Sequence, residues 1–274
     1  MHQNQQDKKI KAKKWLGQNF LKSKAILKKI VKSGEVTSND LILEIGPGQG
    51  DLTAVLLKTG AVVVAVEKDR EMVEILEEKF AAEIISNKLI LIQDDILDFK
   101  IENSILKGKE YKLIANIPYY ITGEIFSKFL STKEQPSLII LLVQKEVATR
   151  IIARDHKESI LSMSIKVYSK PQIITKVKAG SFTPAPKVDS AIIRLTNISR
   201  DKFTTISEKA FFKTLKGGFA HKRKRLFSNL KSVFKINENE IIIKTKLDKN
   251  VRAENLGIED WINITKLIEA GDAK

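Results

Sequence analysis

Five consecutive residues, Asn116, Ile117, Pro118, Tyr119 and Tyr120, combine groups suited to handling a flat, weakly nucleophilic amine. An exocyclic amine such as N6 of adenine delocalises its lone pair into the ring and attacks poorly. The Asn116 side-chain oxygen and the Ile117 carbonyl can accept its two N–H bonds and leave the lone pair aimed at an electrophile. Pro118 stiffens the turn, and Tyr119 offers a ring on which a base taken out of its helix can stack. The chemistry expected of this set is an in-line transfer to nitrogen whose rate comes from positioning. The nitrogen loses its proton as or after it is alkylated, so no strong general base is needed.

A second constellation lies upstream. EIGPGQG (44–50) places Gly46, Gly48 and Gly50 two residues apart between an apolar run and a helical one. Glycines there permit a tight turn and a close backbone approach to a ligand. The spacing departs from the dinucleotide fingerprint, and no Gly-Lys-Ser/Thr follows, which excludes a phosphate-cradling loop. Glu67 stands about 20 residues further on, where a carboxylate accepts both hydroxyls of a ribose. In QDDILDF, Asp94 or Asp95 can accept a hydrogen bond from the amino group of a cofactor's adenine, and Asp98 is expected to cap the following turn.

These residues need a scaffold that brings them to one edge. LILEI (41–45), AVVVAV (61–66), KLILI (88–92), YKLIAN (111–116) and SLIILLV (137–143) read as strands, nearly all apolar as in a parallel sheet covered on both faces. Helical stretches lie between them, at 70–80 and 123–130. Two further strand candidates, 171–178 and 188–196, make seven. The rhythm predicts a doubly wound, mostly parallel sheet of the α/β class. Beyond residue 200, stretches 207–216, 223–234, 238–244 and 258–270 read as short helices. The expected organisation is a basic segment with a helix (1–39), a ligand-binding sheet domain (40–200) and a small helical domain (201–274).

Composition narrows the class. The chain of 274 residues is 43% hydrophobic, enough for a core, and has no cysteine, so disulfides and thiolate metal sites are excluded. No metal site is expected. The lysine-rich first residues lack the apolar run of a secretory leader, and no run reaches the ~18–20 residues of a membrane span; a cytoplasmic monomer is the expectation. A net charge of +15 and a pI near 9.7 favour polyanions. Residues 7–32 hold ten lysines and one acid, and residues 216–231 hold six Lys/Arg and no acid. Lys222, Arg223, Lys224 and Arg225 are consecutive, and both clusters are expected to grip nucleic-acid phosphates.

With these motifs assembled, the sequence resembles the small-subunit ribosomal RNA adenine N6-dimethyltransferases of the KsgA (RsmA) type. The resemblance runs from about residue 17 to the C-terminal helices. It rests on GQNFL (17–21), EIGPGQGDLT (44–53), Glu67 and DDIL, NIPYYIT (116–122), VQKEVATR (143–150), FTPAPKVDSAI (182–192) and GFAHKRKRL (218–226). It implies a class I, Rossmann-like methyltransferase domain followed by a helical one, with S-adenosylmethionine as cofactor. The substrate it implies is small-subunit rRNA, in an immature small subunit, with two adjacent adenosines dimethylated in a hairpin near the 3′ end. By the same resemblance Asn19 and Leu21 close over the cofactor, Gly46 and Gly48 sit against it, Glu67 holds its ribose and Asp95 its adenine. Asn116 lies where the two substrates meet, and Tyr119 and Phe182 cover the two sides of the target base. One departure is Glu158–Ser159, where many members have Tyr-Gly. The rival readings are a large-subunit adenine methyltransferase of the macrolide-resistance type, a non-catalytic assembly factor and a DNA adenine methyltransferase. The third typically opens its motif with Asp rather than Asn116.

Overall fold

The computed structural model describes Lys13 and residues 16–272, so Lys8, Lys9, Lys11 and Lys14 of the N-terminal cluster lie outside the described residues. In chain order the elements are β1 (Phe20–Leu21), α1 (Lys24–Ser33), β2 (Leu41–Ile45), α2 (Asp51–Leu57), β3 (Val62–Glu67), α3 (Arg70–Lys79), α4 (Ala81–Ile85), β4 (Leu89–Gln93) and β5 (Lys112–Asn116). There follow α5 (Thr122–Ser131), β6 (Leu138–Gln144), α6 (Lys145–Ile152), α7 (Ile160–Lys166), β7 (Lys170–Val177), β8 (Phe182–Thr183) and β9 (Ser190–Thr196). The last four helices are α8 (Glu208–Gly218), α9 (Leu226–Lys231), α10 (Glu238–Thr245) and α11 (Ile258–Asp272).

Seven strands form one sheet in the order β4-β3-β2-β5-β6-β9-β7. The first five are parallel, and β9 runs antiparallel to both its neighbours. All seven candidate strands are in this sheet, their ends shifted by at most two residues. The chain steps outward from β2 to β3 and β4, then returns to add β5 and β6 on the other side. That reversal opens a crevice between the carboxyl ends of β2 and β5, where ligands of such sheets bind. Helices α1, α2 and α3 bury Leu27, Ile30, Leu56 and Leu76 on one face. The opposite face takes Ile125 and Phe129 of α5, and its core continues without a break into Phe211, Leu226, Phe227 and Trp261 of the C-terminal helices.

Three local features differ from the sequence expectation. The helix expected over 223–234 begins only at Leu226, and Arg225 caps it in extended backbone (φ −62°, ψ 147°). Lys222, Arg223 and Lys224 therefore occupy an exposed turn, because four charges in a row have no apolar side to bury. A small antiparallel pair, β1 with β8, joins residues 20–21 to 182–183 and was not anticipated. Ser159, part of the departure from the family pattern, forms a capping box with Ser162 at the start of α7, and Glu158 pairs with Lys166 at 2.6 Å.

The glycine loop is held shut from behind. Gly50 opens α2 with φ of +75°, and a Cβ there would lie 2.5 Å from Phe80 Cε2 and 2.8 Å from Leu76 Cδ2. Both neighbours are core residues of α3 and its end. Gly50→Ala is expected to lower stability by about 2–4 kcal/mol, adding left-handed strain to overpacking. Thermal or urea unfolding checks this, and a change below about 0.5 kcal/mol, the size of an ordinary surface substitution, would show that the loop can relax.

Candidate active site

The site is assembled by the tips of four parallel strands. Gly46 follows β2, Glu67 ends β3, Asp94 and Asp95 follow β4, and Asn116 ends β5; all of them line one cleft with Asn19, Leu21, Gly48, Ile117, Pro118 and Tyr119. Gly46 has φ of +61°, and a Cβ built on it meets no atom within 4 Å, so the loop presents bare backbone to open space in the cleft.

Glu67 ties the loop to the second strand. One carboxylate oxygen accepts from the Gly48 N–H at 3.0 Å and the other from the Asp69 N–H at 2.8 Å. Burial raises its pKa, and the two N–H donors offset part of that rise. Asp95 accepts from Lys68 Nζ at 2.6 Å and from the Leu97 N–H at 2.9 Å. The second of these bonds caps the turn that begins at Asp95, while Asp98, expected to cap the turn after it, makes no side-chain hydrogen bond among the described residues. Asp94 accepts from the Asp95 N–H at 2.8 Å.

A strap of residues 16–21 closes the near side. Gln18 Nε2 donates to Asp69 at 2.9 Å, and Lys13 Nζ donates to the other oxygen of Asp69 at 2.6 Å. Asn116 Nδ2 donates to the Asn19 carbonyl at 3.1 Å. That bond turns Oδ1, the acceptor, away from the strap. Tyr119 sits in a single 3-10 turn after Pro118; its carbonyl accepts from Thr122 Oγ1 at 2.8 Å and its hydroxyl meets Ser190 Oγ at 2.6 Å.

Phe182 is not brought to the cleft. Its ring is 4% exposed and belongs to the apolar cluster of Leu21, Leu27, Val177 and Ile192, and β8 pairs it with Leu21. The ring anchors the strap instead of offering a stacking surface. Lys222, Arg223, Lys224 and Arg225 are exposed and also stand apart from the cleft lining. Sequence reasoning missed Glu44, Asp69, Gln18 and Ser190. Glu44 had a signal, a lone acid inside an apolar strand, and Asp69 stood where a helix cap is expected before α3. Gln18 and Ser190 had none outside the family motifs.

Glu44 is 1% exposed, lines the cleft, and has one carboxyl oxygen without a partner among the described residues. Burial, with Glu67 nearby, pushes its pKa up to about 8. Buried acids, a ribose-type carboxylate and bare loop backbone together fit a ligand that is cationic and carries a sugar.

The family model for ribosomal RNA adenine dimethylase matches residues 9–270. The chain belongs to that family. It is accordingly an S-adenosylmethionine-dependent methyltransferase of ribosomal RNA adenine. Among relatives of the dimethylase, "Ribosomal RNA small subunit methyltransferase A" of Mycoplasmopsis pulmonis is 40% identical over 92% of this chain and 97% of its own. The protein of that name in Dehalococcoides mccartyi is 37% identical over 92% and 87%. A crystal structure of a dimethyladenosine transferase from Plasmodium falciparum aligns with a TM-score of 0.77 and 26% identity, covering 92% of this chain and 98% of that one. The 23S rRNA methyltransferase ErmE aligns at 0.72 with 20% identity over 92% and 100%, and so shares the fold.

The raised pKa of Glu44 has a signed consequence for the dimethylase. The folded chain keeps this proton up to about pH 8, whereas an unperturbed carboxyl of pKa 4.5 releases it earlier. Between those values the folded state binds more protons, so stability falls as pH rises through the window. Glu44→Gln removes that share of the fall. Melting temperatures of both proteins without ligand, at pH 5 and pH 8, should show the variant gaining on the parent at pH 8. Parallel curves would mean that Glu44 is ionised in the fold.

Proposed function

We propose that the chain dimethylates adenosine in small-subunit ribosomal RNA, with Asn116 to Tyr119 as the catalytic turn. The observation that carries this reading is the Asn116 hydrogen bond to the strap, which leaves Oδ1 as an acceptor within the cleft that Glu67 and the glycine loop also line. The curated relatives above, named for the small subunit, support the choice of that subunit over the large one. ErmE has the same fold at lower identity and does not favour the rival reading.

Glu67 would hold the cofactor's ribose, Asp95 its adenine, and Gly46 and Gly48 would lie along it under Asn19 and Leu21. The cofactor supplies a methyl group made electrophilic by a sulfonium. Asn116 Oδ1 and the Ile117 carbonyl accept the two N–H bonds of N6 and aim its lone pair. The Tyr119 ring stacks on the extruded base. No group need take the proton before attack, because the alkylated nitrogen becomes acidic enough to release it to water. A monomethylated amine still offers one N–H, so the second transfer can use one of the two acceptors. The enzyme works as a cytoplasmic monomer on the immature small subunit, where the target hairpin is still accessible. Among the described residues no helix is long and apolar enough to cross a membrane.

Lys222, Arg223, Lys224 and Arg225 grip phosphates of the same RNA. The turn between α8 and α9 exposes all four, and the first three make no ion pair among the described residues; Arg225 stands 3.9 Å from Glu238.

Transfer of labelled methyl to unmethylated small and large subunits and their RNAs tests the function. Dimethyladenosine in small-subunit RNA is expected; label in large-subunit RNA alone would overturn the proposal. Replacing all four basic residues by glutamine should weaken RNA binding and flatten log Kd against log salt by roughly 0.7 for each phosphate no longer neutralised. An unchanged slope would remove this turn from the RNA interface.

A further inference from the structure

The stacking tyrosine is tethered at its far end, and the tether comes from a different part of the chain. Tyr119 follows Pro118 in a short turn, and Thr122 fixes its carbonyl. Those bonds restrain the backbone and leave the ring two torsions. Its hydroxyl meets Ser190 Oγ at 2.6 Å, across a separation of 71 residues. Ser190 is 0% exposed and begins β9, flanked in the sheet by Gln144 of β6 and Val177 of β7. It is therefore as rigid a post as the sheet provides. The Ser190 hydroxyl has no other side-chain hydrogen bond among the described residues.

We infer that Ser190 is a positioning residue for methyl transfer, holding the Tyr119 ring at the angle at which the target base stacks. This rests on the proposal that Tyr119 stacks on that base. With Phe182 buried elsewhere, Tyr119 is the ring next to Asn116 to which the proposal assigns the base, and the angle of that ring is set by whatever fixes its hydroxyl. A ring freed to rotate still binds a base but no longer presents N6 squarely to Asn116. A misplacement of about 1 Å at a reacting centre costs on the order of 100-fold in rate, and partial freedom of one ring should cost about tenfold. The tether also joins two of the segments that carry the family resemblance, NIPYYIT and FTPAPKVDSAI.

The test is a double-mutant cycle on single-turnover methyl transfer to unmethylated small subunits at saturating S-adenosylmethionine. The variants are Ser190→Ala, Tyr119→Phe and both together, with Tyr119→Ala as reference. Each single variant should slow transfer about tenfold, leave S-adenosylmethionine affinity within twofold, and the pair should be no slower than either alone. Tyr119→Ala should be slower still. In parallel, 2-aminopurine at the target position should be quenched less by either single variant than by the parent. If Ser190→Ala slows transfer equally in the Tyr119→Phe background, its role is in packing and the inference fails. It also fails if Tyr119→Phe matches the parent, a result that does not need Ser190→Ala to fold. Wild-type transfer by Tyr119→Ala would overturn the stacking proposal itself, and the tether with it.

Discussion

Asn116 carries one amide with two unlike ends, and the Asn19 carbonyl takes the hydrogen of Nδ2 at 3.1 Å. The rest of the site depends on that choice of end. A nitrogen donor facing the target amine would oppose N–H to N–H, whereas Oδ1 accepts from it. For the proposed transfer the strap must therefore be in place if the turn is to be correctly polarised. Its seat is built by Gln18 on Asp69, by the pairing of Leu21 with Phe182, and by Lys22 on Asp51 at 2.7 Å. In the proposed mechanism the strap that covers the cleft thus also sets the polarity of the Asn116 amide.

The second constraint is the cost of burying carboxylates at the ends of β2 and β3. Glu67 is held by two main-chain N–H groups, and Glu44 keeps its proton up to about pH 8. A buried acid such as Glu44 ionises more readily once a cation arrives, since an opposite charge within a few ångströms favours the charged form. A cationic cofactor supplies that charge. The parallel sheet makes the arrangement possible, because strand tips from β2 to β5 deliver side chains to one edge while the helices keep water from the rest.

Much of this was legible in the sequence. Seven apolar runs gave seven strands because burial on both faces leaves a strong compositional mark. The glycine loop, Glu67 and Asn116–Tyr119 could be placed at strand tips for the same reason. What stayed hidden depends on interactions between distant segments. β1 and β8 have two residues each, too few for any periodicity. Phe182 read as a base-covering ring because nothing local reveals that Leu21 and Leu27 enclose it. Asp95 rather than Asp98 makes a capping bond because such a bond depends on which N–H the backbone leaves free. The helix expected over 223–234 takes in Arg223 to Arg225, although like charges in series favour an exposed turn.

The most direct test of the strap's role is single-turnover methyl transfer by Asn116→Asp compared with Asn116→Ala. Aspartate keeps two acceptor oxygens but has no Nδ2 hydrogen for the Asn19 carbonyl. If the bond to the strap is what seats this side chain, aspartate, which sets an oxygen against the Asn19 carbonyl, should fall about 100-fold, near alanine, the scale of losing one positioned hydrogen-bonding group. Transfer by the aspartate variant within a fewfold of the parent would show that any acceptor at this position suffices. The strap would then have no part in orienting it.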